Sequence, residues 1–332
     1  MSLEPLNAAP LHHELSVAED LARQAGDVAR HYRREGFTVQ HKTGADDPVT
    51  EADRAASALL MRGLSAAFPA DGLLSEEEAD STERLGRQRV WLIDPIDGTK
   101  EYATGRPDYC VSIGLVEDGK PLLGVIYAPE TDELFSGALG LGVHKDGRPV
   151  LHRAATPYII ATSETEAERE LGNVPLAGMR PSGSTALKLA RIAAGEADAT
   201  FTMSPRAEWD IAAGHALLRA QGGDLTRRSG QPVRYNQPKP YLEQGFVAGH
   251  PQALSWLRGE LLRLEVHSVV LALDDDTQGQ RRHVRRAGDR ELAWMVTAQD
   301  ERGETVVLAS GGDAFHLERL TRDVRRGGDA LR

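Results

Sequence analysis

A chain of 332 residues, 40% of them hydrophobic, can bury a large core, and its length predicts about two domains. Charged residues make up 27% and no apolar stretch approaches the ~20 residues of a membrane span, which excludes a disordered chain and a membrane-spanning helix. The net charge of −11 argues against partners such as nucleic acid or an anionic membrane, so attraction for an anionic ligand has to be local.

The single cysteine, Cys110, rules out an intrachain disulfide and a cysteine metal site; within Tyr-Cys-Val-Ser-Ile it reads as a small buried strand residue. The first residues, with Glu4, Pro5, His12 and His13, lack a basic region followed by an apolar one, so a cytoplasmic protein is expected.

In chain order, Leu15, Ala18, Leu21, Ala22, Ala25, Val28, Ala29 and Tyr32 recur at helical spacing and predict a helix from about residue 14 to 34, ended near Gly36. Phe37, Val39 and His41 alternate as a strand before a polar loop. Ala55, Ala56, Leu59, Leu60 and Leu64 predict a second helix with Asp53 in its first turns, where the helix dipole alone would favour a carboxylate. Leu73, Leu74 and Ser75 then precede Glu76, Glu77 and Glu78, either a solvated charge run or a strand that ends in a carboxylate cluster.

Residues 91–102 carry the central signal. Val90 to Ile93 reads as a buried strand that Pro95 and Gly98 stop at once, so Asp94 and Asp97 are expected on a turn. Two anions held that close repel unless a cation or proton lies between them, and Mg²⁺ is the natural occupant. Gly98 and Thr99 next offer backbone N–H groups at a helix start, a place that suits a phosphate. Taken alone, Asp-Pro and Asp-Gly are equally ordinary turn dipeptides.

Strands are predicted at 110–116, 122–127, 134–135 and 143–144, joined by hairpin turns at 117–120 and 145–148: an antiparallel meander with two helices on one face. From Tyr158 the pattern alternates: a strand at 159–162, a helix near 164–171, a Gly/Ser loop at 180–184 opening a helix over 186–193, a strand at 197–203, and a helix starting at Glu208 with Asp210 at its N-terminus. The Gly/Ser loop fits a phosphate or ribose hydroxyl and, just as well, a plain cap.

Each of these acids has a local explanation. Together, Pro48-Val49-Thr50-Glu51-Ala52-Asp53, Leu74-Ser75-Glu76-Glu77, the Asp-Pro-Ile-Asp-Gly-Thr of 94–99 after Trp91, and Trp209-Asp210-Ile211-Ala212-Ala213-Gly214 resemble the inositol monophosphatase superfamily of Mg²⁺-dependent, lithium-sensitive phosphatases over roughly residues 11–264. Lys100-Glu101-Tyr102 after Thr99, with Ser75 and Pro232-Val233-Arg234-Tyr235-Asn236, is similar to the 3′(2′),5′-bisphosphate nucleotidases of CysQ type within it.

That resemblance implies an α+β/α/β layered αβαβα sandwich. Its N-terminal α+β domain would span 11–156 and hold the antiparallel sheet and most metal ligands. An α/β domain at 157–264 would supply Asp210 and substrate contacts, with a small α+β appendix at 265–332. The implied activity is hydrolysis of the 3′-phosphate of adenosine 3′,5′-bisphosphate to AMP and phosphate, which clears a by-product of sulfate assimilation. Inositol 1-phosphate or fructose 1,6-bisphosphate is the alternative substrate, and a non-catalytic nucleotide-sensing protein the alternative of another class. Glu76, Asp94, the carbonyl of Ile96, Asp97 and Asp210 would ligate two or three Mg²⁺. Asp53 and Thr99 would position and deprotonate the attacking water, assisted by Glu76. Backbone N–H groups of Gly98 and Thr99 would hold phosphate oxygens, and Lys100, Gly183, Ser184, Lys188 and Arg206 would contact substrate. The run of three glutamates leaves the register open, with Glu77 the alternative to Glu76. The implied partner is a small phosphorylated molecule, neither nucleic acid nor membrane, and a homodimer is allowed for.

Beyond 265 the sequence predicts strands at 266–273, 291–297 and 305–309 and a helix at 315–324. Asp274, Asp275 and Asp276 lack EF-hand spacing and read as a solvated turn, and Arg281, Arg282, Arg285 and Arg286 read as a surface loop.

Overall fold

The computed structural model describes residues 11–41, 48–151, 156, 158–163 and 180–258, and the strands at 284–285, 291–292, 294–299 and 305–311. The chain divides into two compact units, Met1–Glu168 with Asn173–Leu254, and Arg169–Gly172 with Ser255–Arg332.

In the first unit, α1 (His12–Glu35) buries the stripe of Leu15, Ala18, Leu21, Ala22, Ala25 and Ala29 that its spacing predicts, and Gly36 at φ 97° ends it. A short ribbon of β1 (Val39–His41) and β2 (Pro48–Thr50) leads to α2 (Glu51–Ala67), which buries Ala52, Ala56, Leu60 and Leu64. Both helices pack on one face of a seven-stranded sheet: β3 (Gly72–Ser75), β4 (Arg89–Asp97), β5 (Cys110–Glu117), β6 (Lys120–Ala128), β7 (Glu133–Ala138), β8 (Gly142–Lys145) and β9 (Arg148–Pro149), in that order. From β4 onward it is the expected antiparallel meander. Asp118 and Gly119, and Asp146 and Gly147, all take positive φ, as tight hairpins between right-twisted strands require.

Two features depart from the sequence reading. Strand β3 joins the meander parallel to β4, with Ser75 level with Ile93. Strand β4 does not stop at Ile93 but continues through Pro95 to Asp97: pairing with β5 passes from Asp94–Ser112 to Asp97–Cys110 across an irregularity. Proline has no N–H to give the ladder, so the strand bulges there rather than ending.

The second face of this sheet carries α4 (Thr185–Ala193) and α5 (Glu208–Ala220), numbered after the short α3 (Thr99–Ala103). A Cβ on Gly124 would stand 2.1 Å from the carbonyl oxygen of Ala213, and one on Gly114 2.7 Å from its nitrogen. Bare strand positions thus let the backbone of α5 lie directly on the sheet. Beyond these helices lies a five-stranded sheet, ordered β11 (Arg180–Pro181), β10 (Ile160–Thr162), β12 (Ala199–Thr202), β16 (Phe246–Gly249) and β14 (Asp224–Arg227). A small ribbon pairs β13 (Arg206–Ala207) with β15 (Tyr241–Leu242). The result is the layered α+β sandwich that the sequence leads one to expect.

In the second unit, strands at 291–292, 294–299 and 305–311 cover two of the three predicted there. The predicted loop at 42–47, helix at 164–171, strand at 266–273 and helix at 315–324 lie outside the described residues, as do the three aspartates at 274–276. Among the described residues no helix is long and apolar enough to cross a membrane.

Candidate active site

The parallel pairing of β3 with β4 has a direct consequence. With Ser75 opposite Ile93, Glu76 just past the end of β3 and Asp94 within β4 stand at the same level, toward the same end of the sheet. The bulge after Asp94 lets Asp97 follow, still buried, and Gly98 at φ 98° then turns the chain into α3. A side chain at Gly98 would also meet the carbonyl oxygen of Asp108 at 2.9 Å.

Three further helices bring their first turns to this end. Asp53 sits in the first turn of α2, where Oδ2 accepts from the N–H and hydroxyl of Thr50 at 2.8 and 2.5 Å. Asp97 Oδ2 accepts from Ser184 Oγ at 2.7 Å and from the N–H of Ala186, in the first turn of α4, at 2.5 Å. Asp210 lies in the first turn of α5, with Oδ2 accepting from the N–H of Ala207 at 3.0 Å. Ser112, the strand partner of Asp94, fixes that turn by donating to the carbonyl of Trp209 at 3.3 Å. Helix starts carry partial positive charge, which offsets part of the cost of holding carboxylates there.

That cost is visible. Burial, and then the charges of Glu76, Asp97, Asp210 and Asp53, push the Asp94 carboxyl well above the usual range. Asp210 is raised likewise by burial, Asp97 and Glu76. Burial lifts Asp97 to about 6 against the opposing bonds from Ser184 and Ala186, and lifts Asp53 to about 6 against those from Thr50. Glu76 acts on all four, whereas Glu78 turns toward α2, where Ser57 Oγ donates to it at 3.5 Å. Among the described residues no three acids, histidines or cysteines are gathered as a finished metal cage; what these five acids share is one electrostatic field.

Thr99 stands at its edge. Its hydroxyl lies 3.2 Å from Asp53 Oδ1 and 3.0 Å from the carbonyl oxygen of Ile96, while Asp94 Oδ1 accepts from the N–H of Ile96 at 3.0 Å.

The sequence pattern of the inositol monophosphatase family matches residues 11–265. The chain belongs to the inositol monophosphatase family. It is a phosphatase of that family, whose substrates are small phosphorylated molecules. Inositol monophosphatase 1 of Solanum lycopersicum is 32% identical over 258 residues, 71% of this chain and 94% of that protein. The 3′(2′),5′-bisphosphate nucleotidase CysQ of Escherichia coli K12 is 35% identical over 237 residues, 68% of this chain and 95% of the other. The solved structure of the extragenic suppressor protein suhB from Bartonella henselae superposes with a TM-score of 0.64 at 30% identity, over 75% of this chain and 98% of that one.

Of the expected substrate contacts in this inositol monophosphatase family member, Arg206 is near the acids: its charge acts on both Asp97 and Asp210, and its Nε donates to Thr185 Oγ1 at 3.0 Å. Ser184 is committed to Asp97 and to the N–H of Leu187, at 3.0 Å, and so holds an acid in place. Gly183 has the Glu101 carboxylate against its α-carbon, where a Cβ would fall 2.0 Å from it. Lys188 is buried in α4 and Lys100 is exposed. Sequence reasoning passed over Thr50, Ser112 and Ala186; only Thr50, one residue before a helix and three before an acid, had a legible capping signal.

Proposed function

We propose that this phosphatase is a cytoplasmic, Mg²⁺-dependent and lithium-sensitive enzyme that removes the 3′-phosphate of adenosine 3′,5′-bisphosphate, giving AMP and phosphate. The observation that carries the chemistry is the pairing of Thr99 with Asp53 beside buried acids that raise one another's pKa. The donor set fits a hard divalent ion: every candidate is an oxygen, and the acids repel one another. Glu76, Asp94, Asp97, Asp210 and the Ile96 carbonyl would hold two or three such ions. Bound Mg²⁺ would supply charge to the phosphoryl oxygens and make water easier to deprotonate.

The chain's own residues do the rest. Thr99 Oγ orients a water in line with the phosphorus and accepts its proton as the hydroxyl proton passes to Asp53 Oδ1. A carboxyl near 6 is matched to that task at neutral pH. Backbone N–H groups of Gly98 and Thr99 hold phosphate oxygens, and Arg206, Lys100, Lys188 and Gly183 contact the remainder of the substrate. The substrate preference rests on Lys100-Glu101-Tyr102 and on likeness to CysQ; likeness to the tomato inositol monophosphatase favours inositol 1-phosphate as the second reading. Phosphate release from adenosine 3′,5′-bisphosphate, inositol 1-phosphate and fructose 1,6-bisphosphate at equal concentration separates them. A preference above ~tenfold for the nucleotide, about 1.4 kcal/mol in transition-state binding, is expected, and the reverse order would replace this substrate assignment.

A further inference from the structure

Arg84 lies on a short 3₁₀ turn, Thr82–Gly86, between β3 and β4, and is only 2% exposed. Its Nε and Nη2 donate to the two carboxylate oxygens of Asp80 at 2.7 and 2.8 Å. Nη1 donates to Asn236 Oδ1 at 2.6 Å and Nη2 to the carbonyl of Gln237 at 3.0 Å. Asn236 Nδ2 donates back to the carbonyl of Arg84 at 3.0 Å. The backbone of Asn236, at φ 58°, continues the chain of contacts: its N–H and that of Gln237 donate to Glu208 Oε2 and Oε1 at 2.7 and 3.1 Å. Glu208 is the first residue of α5, and its own N–H donates to the carbonyl of Pro240 at 2.8 Å.

This network begins four residues past Glu76 and ends two residues before Asp210, two acids that come from different layers. Burying a guanidinium and a carboxylate brings little net stability over apolar residues of the same size, whereas it fixes geometry through directed bonds. We propose that Arg84, Asn236 and Glu208 are positioning residues that set the spacing of Glu76 and Asp210 and thereby the affinity for Mg²⁺. The inference rests on the metal-dependent reading given above.

The test uses Asn236→Gly, which keeps the positive φ and the N–H to Glu208 but removes both side-chain bonds to Arg84, and Arg84→Lys, which keeps the charge but not the fork. Mg²⁺ affinity is read without substrate, from the rise in melting temperature as the ion is titrated, and kcat and KM are read at saturating Mg²⁺. About a tenfold weaker Mg²⁺ affinity in both variants is expected, with KM within about twofold of wild type and most of kcat recovered at high Mg²⁺. Unchanged Mg²⁺ affinity in a folded Asn236→Gly protein would overturn the inference and leave a purely structural brace. A wild-type protein with no response to Mg²⁺ in either measurement would overturn the functional reading and this inference with it.

Discussion

Thr99 places one hydroxyl between Asp53 Oδ1 and the Ile96 carbonyl, so it can serve in proton transfer only if its oxygen is present. Thr99→Ala is expected to lower kcat by ~10²-fold or more with KM nearly unchanged, whereas Thr99→Ser keeps most of the rate; steady-state kinetics on both variants checks this. Asp97 is a different case, a buried carboxyl raised to about 6 that two donors hold. Asp97→Asn is expected to retain less than about 1% of turnover, the size expected when a charged group is lost from the reacting centre. In the presence of a chelator it should melt at the same temperature or higher, since it relieves like-charge repulsion. Turnover above that level removes Asp97 from the metal site. At this scale the sequence pointed to acids that the folded chain brings into one electrostatic field and was silent about what holds them: Ser184 and Ala186 lie 87 and 89 residues from Asp97, and no local pattern announces such a bond.

At the scale of elements, hairpins were legible because the backbone conformation at Asp118-Gly119 and Asp146-Gly147 selects those residue types locally. The continuation of β4 past Pro95 was not, because what extends the strand is the distant Cys110 pairing with Asp97. Nor was the parallel placement of β3, which a short run such as Leu73-Leu74 cannot encode. The tight seating of α5 is likewise written in two glycines of other elements. Gly124→Ala forces a methyl toward the Ala213 carbonyl and should cost ~1–3 kcal/mol by overpacking, read in thermal or urea melts. Because the same helix presents Asp210, kcat should fall with it. A Gly124→Ala protein of wild-type stability would show that α5 can lift from the sheet without cost.

Over the whole molecule, burial and mutual repulsion raise Asp53, Asp94, Asp97 and Asp210, and burial alone lifts Glu208, whose carboxylate takes the Asn236 and Gln237 N–H groups, to about 7. Each of these groups binds its proton more tightly folded than unfolded. Their contribution to stability is therefore complete below the unfolded values near ~4 and is lost as pH rises, through about 6 for Asp53 and Asp97 and about 7 for Glu208, with Asp94 and Asp210 acting in the same direction. Without divalent ions, the melting temperature should increase as pH is lowered from 7.5 toward about 5, and saturating Mg²⁺ should flatten or reverse that trend, since the ion then takes the place of the protons. A melting temperature that falls over the same interval in chelator would show that the acids are not mutually destabilising. The most direct test of the central claim is phosphate release from adenosine 3′,5′-bisphosphate as Mg²⁺ is titrated, with and without Li⁺. The account predicts turnover that is absent in chelator, saturates with Mg²⁺ and is suppressed by Li⁺; full activity in chelator would contradict it.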